Sequence, residues 1–294
     1  MPGVTEGALA WFGPKEKATA LGLMQTPVAA GGMITAATLP LIALSINWRY
    51  SFLFLGIITL TIGIAATKIY RKPPALPHEA KQSTVQPEKA EPLMRFLKNR
   101  NVWLVGMAGF FLCWIELAII AYLILYLRDE FLLPVVVAGL VLAIVQLSGV
   151  VGRPGFGFLS DRLMNGRRRG LFIVVSVLAT AMCVLIALFG IHLSWLIYPI
   201  LVILGLSSFG FGGLWLAMLS EHVGQGSVGK ATGFGVAIAT AGAVIGPIIF
   251  GMILDQSGSY RTAWFSLALT GVLGVVSLIL ARERKPTGQG WSEV

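Results

Sequence analysis

The chain has 294 residues, of which 56% are hydrophobic and 12% are charged, and its mean hydropathy is +0.82. Soluble domains carry about 25% charged residues, and a water-soluble fold of this size could not bury so much apolar surface. The composition therefore excludes a soluble globular protein. Both cysteines, Cys113 and Cys183, lie in apolar runs, which predicts buried thiols and no disulfide. The three histidines are scattered, so we expect no metal site and no cofactor.

Eight apolar runs are long enough to cross a bilayer as helices, which takes about 20 residues each. The runs cover residues 18–44, 49–69, 102–127, 134–158, 171–191, 194–219, 231–254 and 261–281. The alternating pattern of a β-barrel is missing, so helices are the spans that we predict. The sequence thus predicts an all-α integral membrane protein with about eight transmembrane helices.

A polar, proline-rich stretch divides these spans into two and six. It covers residues 71–100 and has the composition of a solvated linker. We therefore predict a two-helix segment at 1–70, the linker at 71–100, a six-helix bundle at 101–285 and a tail at 286–294.

The distribution of Lys and Arg predicts the topology. Alternate loops, counted together with the termini, hold 18 of the 22 basic residues, and the opposite loops hold only three. By the positive-inside rule the linker and both termini are expected in the cytoplasm, with the chain in the plasma (inner) membrane. The net charge of +9 then faces anionic lipid headgroups, so we expect no nucleic-acid partner. We expect a monomer.

Two distant segments resemble each other. Lys17-Ala18-Thr19-Ala20-Leu21-Gly22 is similar to Lys230-Ala231-Thr232-Gly233-Phe234-Gly235, and each opens a span rich in Gly and Ala. Both segments are predicted to enter the membrane from the same side, which is a parallel repeat. Paired parallel repeats are typical of transporters. The two helices should therefore begin at the same membrane depth.

The most specific motif is Gly157-Phe158-Leu159-Ser160-Asp161-Arg162, followed after a short gap by Gly166, Arg167 and Arg168. It resembles the signature loop of the major facilitator superfamily, in which a Gly-x-Leu-Ser-Asp-Arg run precedes a Gly-Arg-Arg run. The gap is two residues longer here, which leaves open which arginine pairs with Asp161. An alternative interpretation is that the arginines only fix the topology.

This resemblance implies twelve helices, arranged six and six around a linker, and a rocking motion of two bundles about a central site. Only two spans precede the linker here, so we expect that the first four helices of the family pattern are absent. The implied function is ion-coupled transport of a small organic solute, with an anion favoured and protons as the coupling ion. The alternative is a truncated membrane protein that does not transport. The sequence shows no nucleophile–base arrangement, so we do not expect an enzyme.

Three further charged residues are candidate site residues. Glu116 lies inside the third predicted span, where a carboxylate is costly unless it faces a cavity or the bundle interior. It is a candidate proton or substrate site, with a structural carboxylate as the alternative. Arg153 lies about one turn from the predicted end of its span, and we expect a structural ion pair with Glu221.

The family resemblance also implies a position for Asp161. It should lie against the start of the first visible helix, near Lys17 to Gly22, with Arg162 or one of Arg167 to Arg169 behind it. The partial positive charge of a helix N-terminus would stabilise a carboxylate there. Such a contact would hold the two bundles together only while the cytoplasmic side is closed.

Overall fold

The computed structural model describes residues 16–69, 99–164, 167–222 and 228–282. Residues 71–98 of the predicted linker, the tail and Gly166 lie outside these ranges. The described residues form nine α-helices, which we label in chain order. They are α1 (Lys17–Ser45), α2 (Trp48–Ile69), α3 (Arg100–Phe131), α4 (Val135–Phe158), α5 (Arg168–Phe189), α6 (Ile197–Gly210), α7 (Gly212–Glu221), α8 (Val228–Ser257) and α9 (Tyr260–Leu280). A π-helical segment, Leu159–Leu163, extends α4, and a 3-10 segment, Gly190–Leu196, precedes α6.

Eight helical segments of the described chain are long and apolar enough to cross a membrane. The helices α6 and α7 form one of these spans, because the chain turns only at Phe211 between them. The prediction of an all-α protein with eight spans is confirmed. We name the two ends of the bundle by residues that lie there, the Asp161 face and the Leu132 face.

The helices α3 to α9 pack into one bundle. In it, α3 packs along α8 and α9, α4 packs along α6, and α5 packs along α9. Large side chains fill the interior, among them Phe172, Phe209 and Trp264. The indole nitrogen of Trp215 on α7 donates a hydrogen bond to the Val105 carbonyl of α3 at 3.0 Å. This bond satisfies a polar group that would be costly in an apolar interior.

The first two helices are attached very unequally. The helix α1 lies along α4 for most of its length and also contacts α7, whereas the main contact of α2 is with α1. Many of the apolar side chains of α2 are exposed, as expected for a helix that faces lipid. The segment 16–69 is therefore held to the bundle chiefly through α1. Both α1 and α8 begin at the Asp161 face, where the repeated segments lie.

Candidate functional site

Glycines line the contact between α1 and α4. At four of them an added Cβ atom would overlap atoms of the opposite helix: Gly22 and Gly32 on α1, and Gly139 and Gly157 on α4. At Gly157 this atom would lie 2.6 Å from the Ala18 carbonyl oxygen. The backbones can approach so closely because these positions lack side chains, as at other small-residue helix contacts in membranes. We call this contact the α1–α4 seam.

Asp161 lies in the π-helical segment after α4, where the seam reaches the Asp161 face. Its Oδ2 atom accepts hydrogen bonds from the backbone nitrogen of Thr19 at 2.8 Å and from the Thr19 hydroxyl at 2.9 Å. Its side chain is only 2% exposed. The first N–H groups of a helix have no partner within the helix, so the carboxylate caps α1 and also faces the positive end of its dipole.

Arg168, at the start of α5, holds this carboxylate from behind. Its Nη2 atom lies 2.9 Å from Asp161 Oδ1, and its Nη1 atom pairs with Glu221 at the end of α7. The guanidinium therefore joins the ends of α4, α5 and α7, and α1 is joined to them through Thr19. We call Thr19, Asp161, Arg168 and Glu221 the Asp161 cluster.

The other arginines of the signature loop have separate positions. Arg162 is exposed, lies 4.0 Å from Glu16 and stacks over the Phe158 ring. Arg167 is exposed. Arg169 donates to the carbonyl oxygens of Leu278 and Ile279, the last turn of α9. Among the arginines proposed to hold Asp161, Arg168 is thus the one that contacts it.

A second buried ion pair lies in the middle of the bundle. The Nη2 atom of Arg153 on α4 is 3.1 Å from the Oε1 atom of Glu116 on α3, and both residues are less than a tenth exposed. Arg153 also donates from Nε to the Phe209 carbonyl of α6 at 2.8 Å, and from Nη1 to the Gln25 carbonyl of α1. One guanidinium therefore bridges three neighbouring helices, and one of these is α1.

The expected ion pair between Arg153 and Glu221 was wrong. The structure pairs Arg153 with Glu116, and it pairs Glu221 with Arg168. The π-helical segment carries the α4 span on to Leu163. Arg153 therefore lies about three turns from the end of that span instead of one, too deep to reach a residue at the Asp161 face.

A cavity of about 390 Å³ opens between α1, α2, α3 and α4. Its lining is mostly apolar, and Gln146, Thr35 and Ser51 are its polar members. Two lining residues relate it to the ion pair: Ile120 is one turn from Glu116 on α3, and Gln146 is two turns from Arg153 on α4. Both residues lie on the Leu132 side of the pair. The ion pair therefore lies one to two helical turns beyond the deep end of this cavity, and neither Glu116 nor Arg153 is among the lining residues.

Sequence reasoning missed two participants. Thr19 was noted only as part of a repeat, and a threonine inside the first turn of a helix does not by itself indicate a partner on another helix. Gln25 contributes a backbone carbonyl, which has no signature in the sequence. In the described part of the chain, no group of three His, Cys, Asp or Glu residues is placed to hold a metal ion.

Comparison with known proteins identifies the family. The model of the Major Facilitator Superfamily matches residues 1–239. The chain belongs to the major facilitator superfamily. Its members are transporters and not enzymes, so the predicted class of function is confirmed.

Two relatives in this superfamily carry names that describe a solute. The hexuronate transporter of Bacillus subtilis is 28% identical over 290 residues, which are 95% of this chain and 69% of the relative. The probable sulfoacetate transporter SauU of Cupriavidus necator is 24% identical over 300 residues, which are 95% of this chain and 68% of the relative.

A solved structure shows the same fold. The crystal structure of the fucose:proton symporter FucP of E. coli superposes with a TM-score of 0.71 at 16% identity, and the match covers 96% of this chain and 73% of FucP. At this level of identity the likeness concerns the fold alone.

Proposed function

We propose that this chain transports a small organic anion by alternating access, coupled to protons. Family membership supports transport of a solute in general. The anion is supported by the names of the two relatives, because hexuronate and sulfoacetate are both anions.

The observation that carries the proposal is the position of Arg153. A guanidinium stays protonated at all physiological pH values, and a fixed charge inside a membrane protein is costly unless it has a function or a partner. Here it is buried in the middle of the spans, about two turns from the deep end of a cavity that extends toward the Leu132 face. Glu116 neutralises this cation in the structure, and once Glu116 is displaced or protonated the guanidinium would attract an anionic solute and disfavour a cationic one.

The Asp161 cluster supplies the conformational part of the proposal. It ties α1 to the ends of three helices of the bundle, so it stabilises the arrangement in which the Asp161 face is closed. We place this face in the cytoplasm, as the distribution of basic residues predicts, and we propose the inner membrane as the location of the chain. In alternating access the cluster would break when this face opens.

The proposal can be tested with the purified chain in proteoliposomes. We expect uptake of radiolabelled D-glucuronate or sulfoacetate when a proton gradient is imposed, no uptake of D-glucose, and loss of accumulation when a protonophore is added. Absence of uptake of every solute would favour the alternative that the sequence also predicts, a truncated membrane protein that does not transport by itself. Uptake of glucose with no uptake of either anion would contradict the proposed solute class. Accumulation that survives the protonophore would contradict proton coupling.

A further inference from the structure

Glu116 and Arg153 neutralise each other inside the bundle. An isolated charge at this depth is very unfavourable, and a buried pair is tolerated because its net charge is zero. The other titratable group at the pair is Cys113, one turn earlier on α3. The neighbouring helices α1 and α6 contribute the carbonyl oxygens of Gln25 and Phe209.

The two members of the pair are held differently. Arg153 has acceptors on three helices, so its guanidinium stays in place when one of them is lost. Among the described residues Glu116 is hydrogen-bonded only to Arg153, and only through Oε1. Glu116 can also lose its charge by taking up a proton, which Arg153 cannot. The carboxylate is therefore the replaceable member.

The cavity provides the route by which a replacement could arrive. It reaches the level of Ile120 and Gln146, one and two turns from the members of the pair and on the same helices. A carboxylate group entering from the Leu132 side would have to move past the buried side chain of Gln146 before it met the guanidinium of Arg153 at the position that Glu116 now holds. Carboxylates bind guanidinium groups by charge-assisted hydrogen bonds, often two at a time.

We infer that Arg153 is the group that binds the anionic part of the solute, and that Glu116 is an internal counter-ion that the solute displaces. This inference rests on the proposed transport of an organic anion. The exchange balances in charge: the solute brings one carboxylate to Arg153, and Glu116 takes one proton as it leaves. The site stays neutral before and after, so one proton accompanies each bound carboxylate.

The arrangement also links binding to the α1–α4 seam. The guanidinium that would receive the solute is hydrogen-bonded to the Gln25 carbonyl of α1. Any shift of Arg153 toward a bound anion changes this bond between α1 and the bundle. Arg153 would therefore both bind the solute and transmit its presence to α1.

The experiment measures binding and proton uptake on the full chain purified in detergent. Binding of D-glucuronate and of sulfoacetate is measured by isothermal titration at several pH values, and proton uptake by a pH indicator in weak buffer. For the wild type we expect about one proton taken up per anion bound. Binding should weaken about tenfold for each pH unit over the range in which Glu116 is ionised in the free protein, because each anion carries one proton with it.

Three variants of the pair give distinct expectations. Glu116→Gln should bind the anion with no proton uptake and with no dependence on pH. Arg153→Gln should bind at least about 100-fold more weakly. The double variant Glu116→Gln with Arg153→Gln keeps a neutral, hydrogen-bonding pair, so it should fold and still fail to bind. The controls are Arg261→Gln and Glu130→Gln, which remove a guanidinium and a carboxylate near the Leu132 face. Both should bind the anion and take up protons as the wild type does.

Each result bears on one conclusion. Anion binding that survives in the folded double variant would overturn the role of Arg153. Anion binding by the wild type without proton uptake, or an unchanged pH dependence in Glu116→Gln, would overturn the exchange with Glu116. In both cases the proposed transport of anions would stand. A wild type that binds D-glucose and neither anion would overturn the proposed function, and this inference with it.

Discussion

The two buried ion pairs of this protein are alike in chemistry and different in how the carboxylate is held. In the Asp161 cluster both carboxylate oxygens are used, Oδ2 by two donors of Thr19 and Oδ1 by Arg168. In the central pair Glu116 is held by Arg153 through Oε1. A carboxylate with three donors stays bound as long as the Asp161 face is closed, whereas one with a single donor group can, as we propose, be displaced within this closed arrangement. The number of donors, and not burial, separates a structural pair from an exchangeable one.

The largest expected effect is on the Asp161 cluster. Arg168→Ala removes the cation between Asp161 and Glu221, and breaking a buried ion pair in this way costs about 3–5 kcal/mol. We expect a strong loss of stability in thermal or denaturant unfolding of the purified protein. Arg167→Ala is the matched control, since the neighbouring arginine is exposed and should change stability by less than about 0.5 kcal/mol. Equal stability of the two variants would refute the structural role of the cluster.

Double variants compare the two pairs directly. Replacing both members of the central pair, Glu116→Gln with Arg153→Gln, should leave stability within about 1 kcal/mol of the wild type, because a neutral pair no longer has charges to desolvate. Asp161→Asn with Arg168→Gln should cost about 2–3 kcal/mol, because Glu221 loses its cation and the Thr19 donors lose a charged acceptor. Unfolding of both proteins under the same conditions measures the difference. Similar losses in both would show that the number of donors does not distinguish the pairs.

The α1–α4 seam offers a test between these two sites. At Gly22 an added side chain would overlap the Arg153 carbonyl, so Gly22→Leu should cost about 1–3 kcal/mol by overpacking. The control is Gly31→Ala on the same helix, where there is open space and where alanine favours the helix by up to about 1 kcal/mol. Thermal unfolding reports both. A Gly22→Leu protein as stable as Gly31→Ala would mean that α1 and α4 are not in close contact.

The change that is most informative about conformation is the loss of the Asp161 charge alone. Asp161→Asn keeps the shape of the side chain and removes its charge from the N-terminus of α1, a contribution of up to about 2 kcal/mol. That amount shifts a two-state equilibrium by more than tenfold. Spin labels on α1 and α4 near the Asp161 face should show a larger open population in the variant. The control is Asp255→Asn, at an exposed position, which should leave the distance distribution unchanged. An unchanged distribution in Asp161→Asn as well would show that the Asp161 charge has no conformational role.

Much of the fold follows from sequence because lipid restricts a spanning segment to a helix of about 20 apolar residues. The eight spans could be predicted in this way. The approach of Asp161 to the start of α1 could be predicted from the family motif. The partner of Arg153 could not be predicted from the sequence. The depth of Arg153 in the membrane depends on where the α4 span ends, and the π-helical segment moves that end from Phe158 to Leu163.

Hydrogen bonds from side chains to backbone carbonyls could not be predicted from the sequence either. The carbonyl of Gln25 looks like any other carbonyl in a helix, yet it accepts a hydrogen bond from the central guanidinium. The pairing of Glu116 with Arg153 depends on the rotation of α3 and α4 about their axes. That rotation is set by the packing of many side chains and not by a local pattern.

The seam between α1 and α4 also constrains how the protein is made. Thr19 and Asp161 are 142 residues apart in the chain, and a ribosome adds about 5–20 residues per second. About 7–28 s therefore pass between the synthesis of α1 and the arrival of its principal partner. During this interval α1 carries a glycine-lined face and an uncapped first turn without the helix that will cover them. For that time α1 has to remain in the membrane without its principal partner, and slower synthesis of α4 would lengthen the interval.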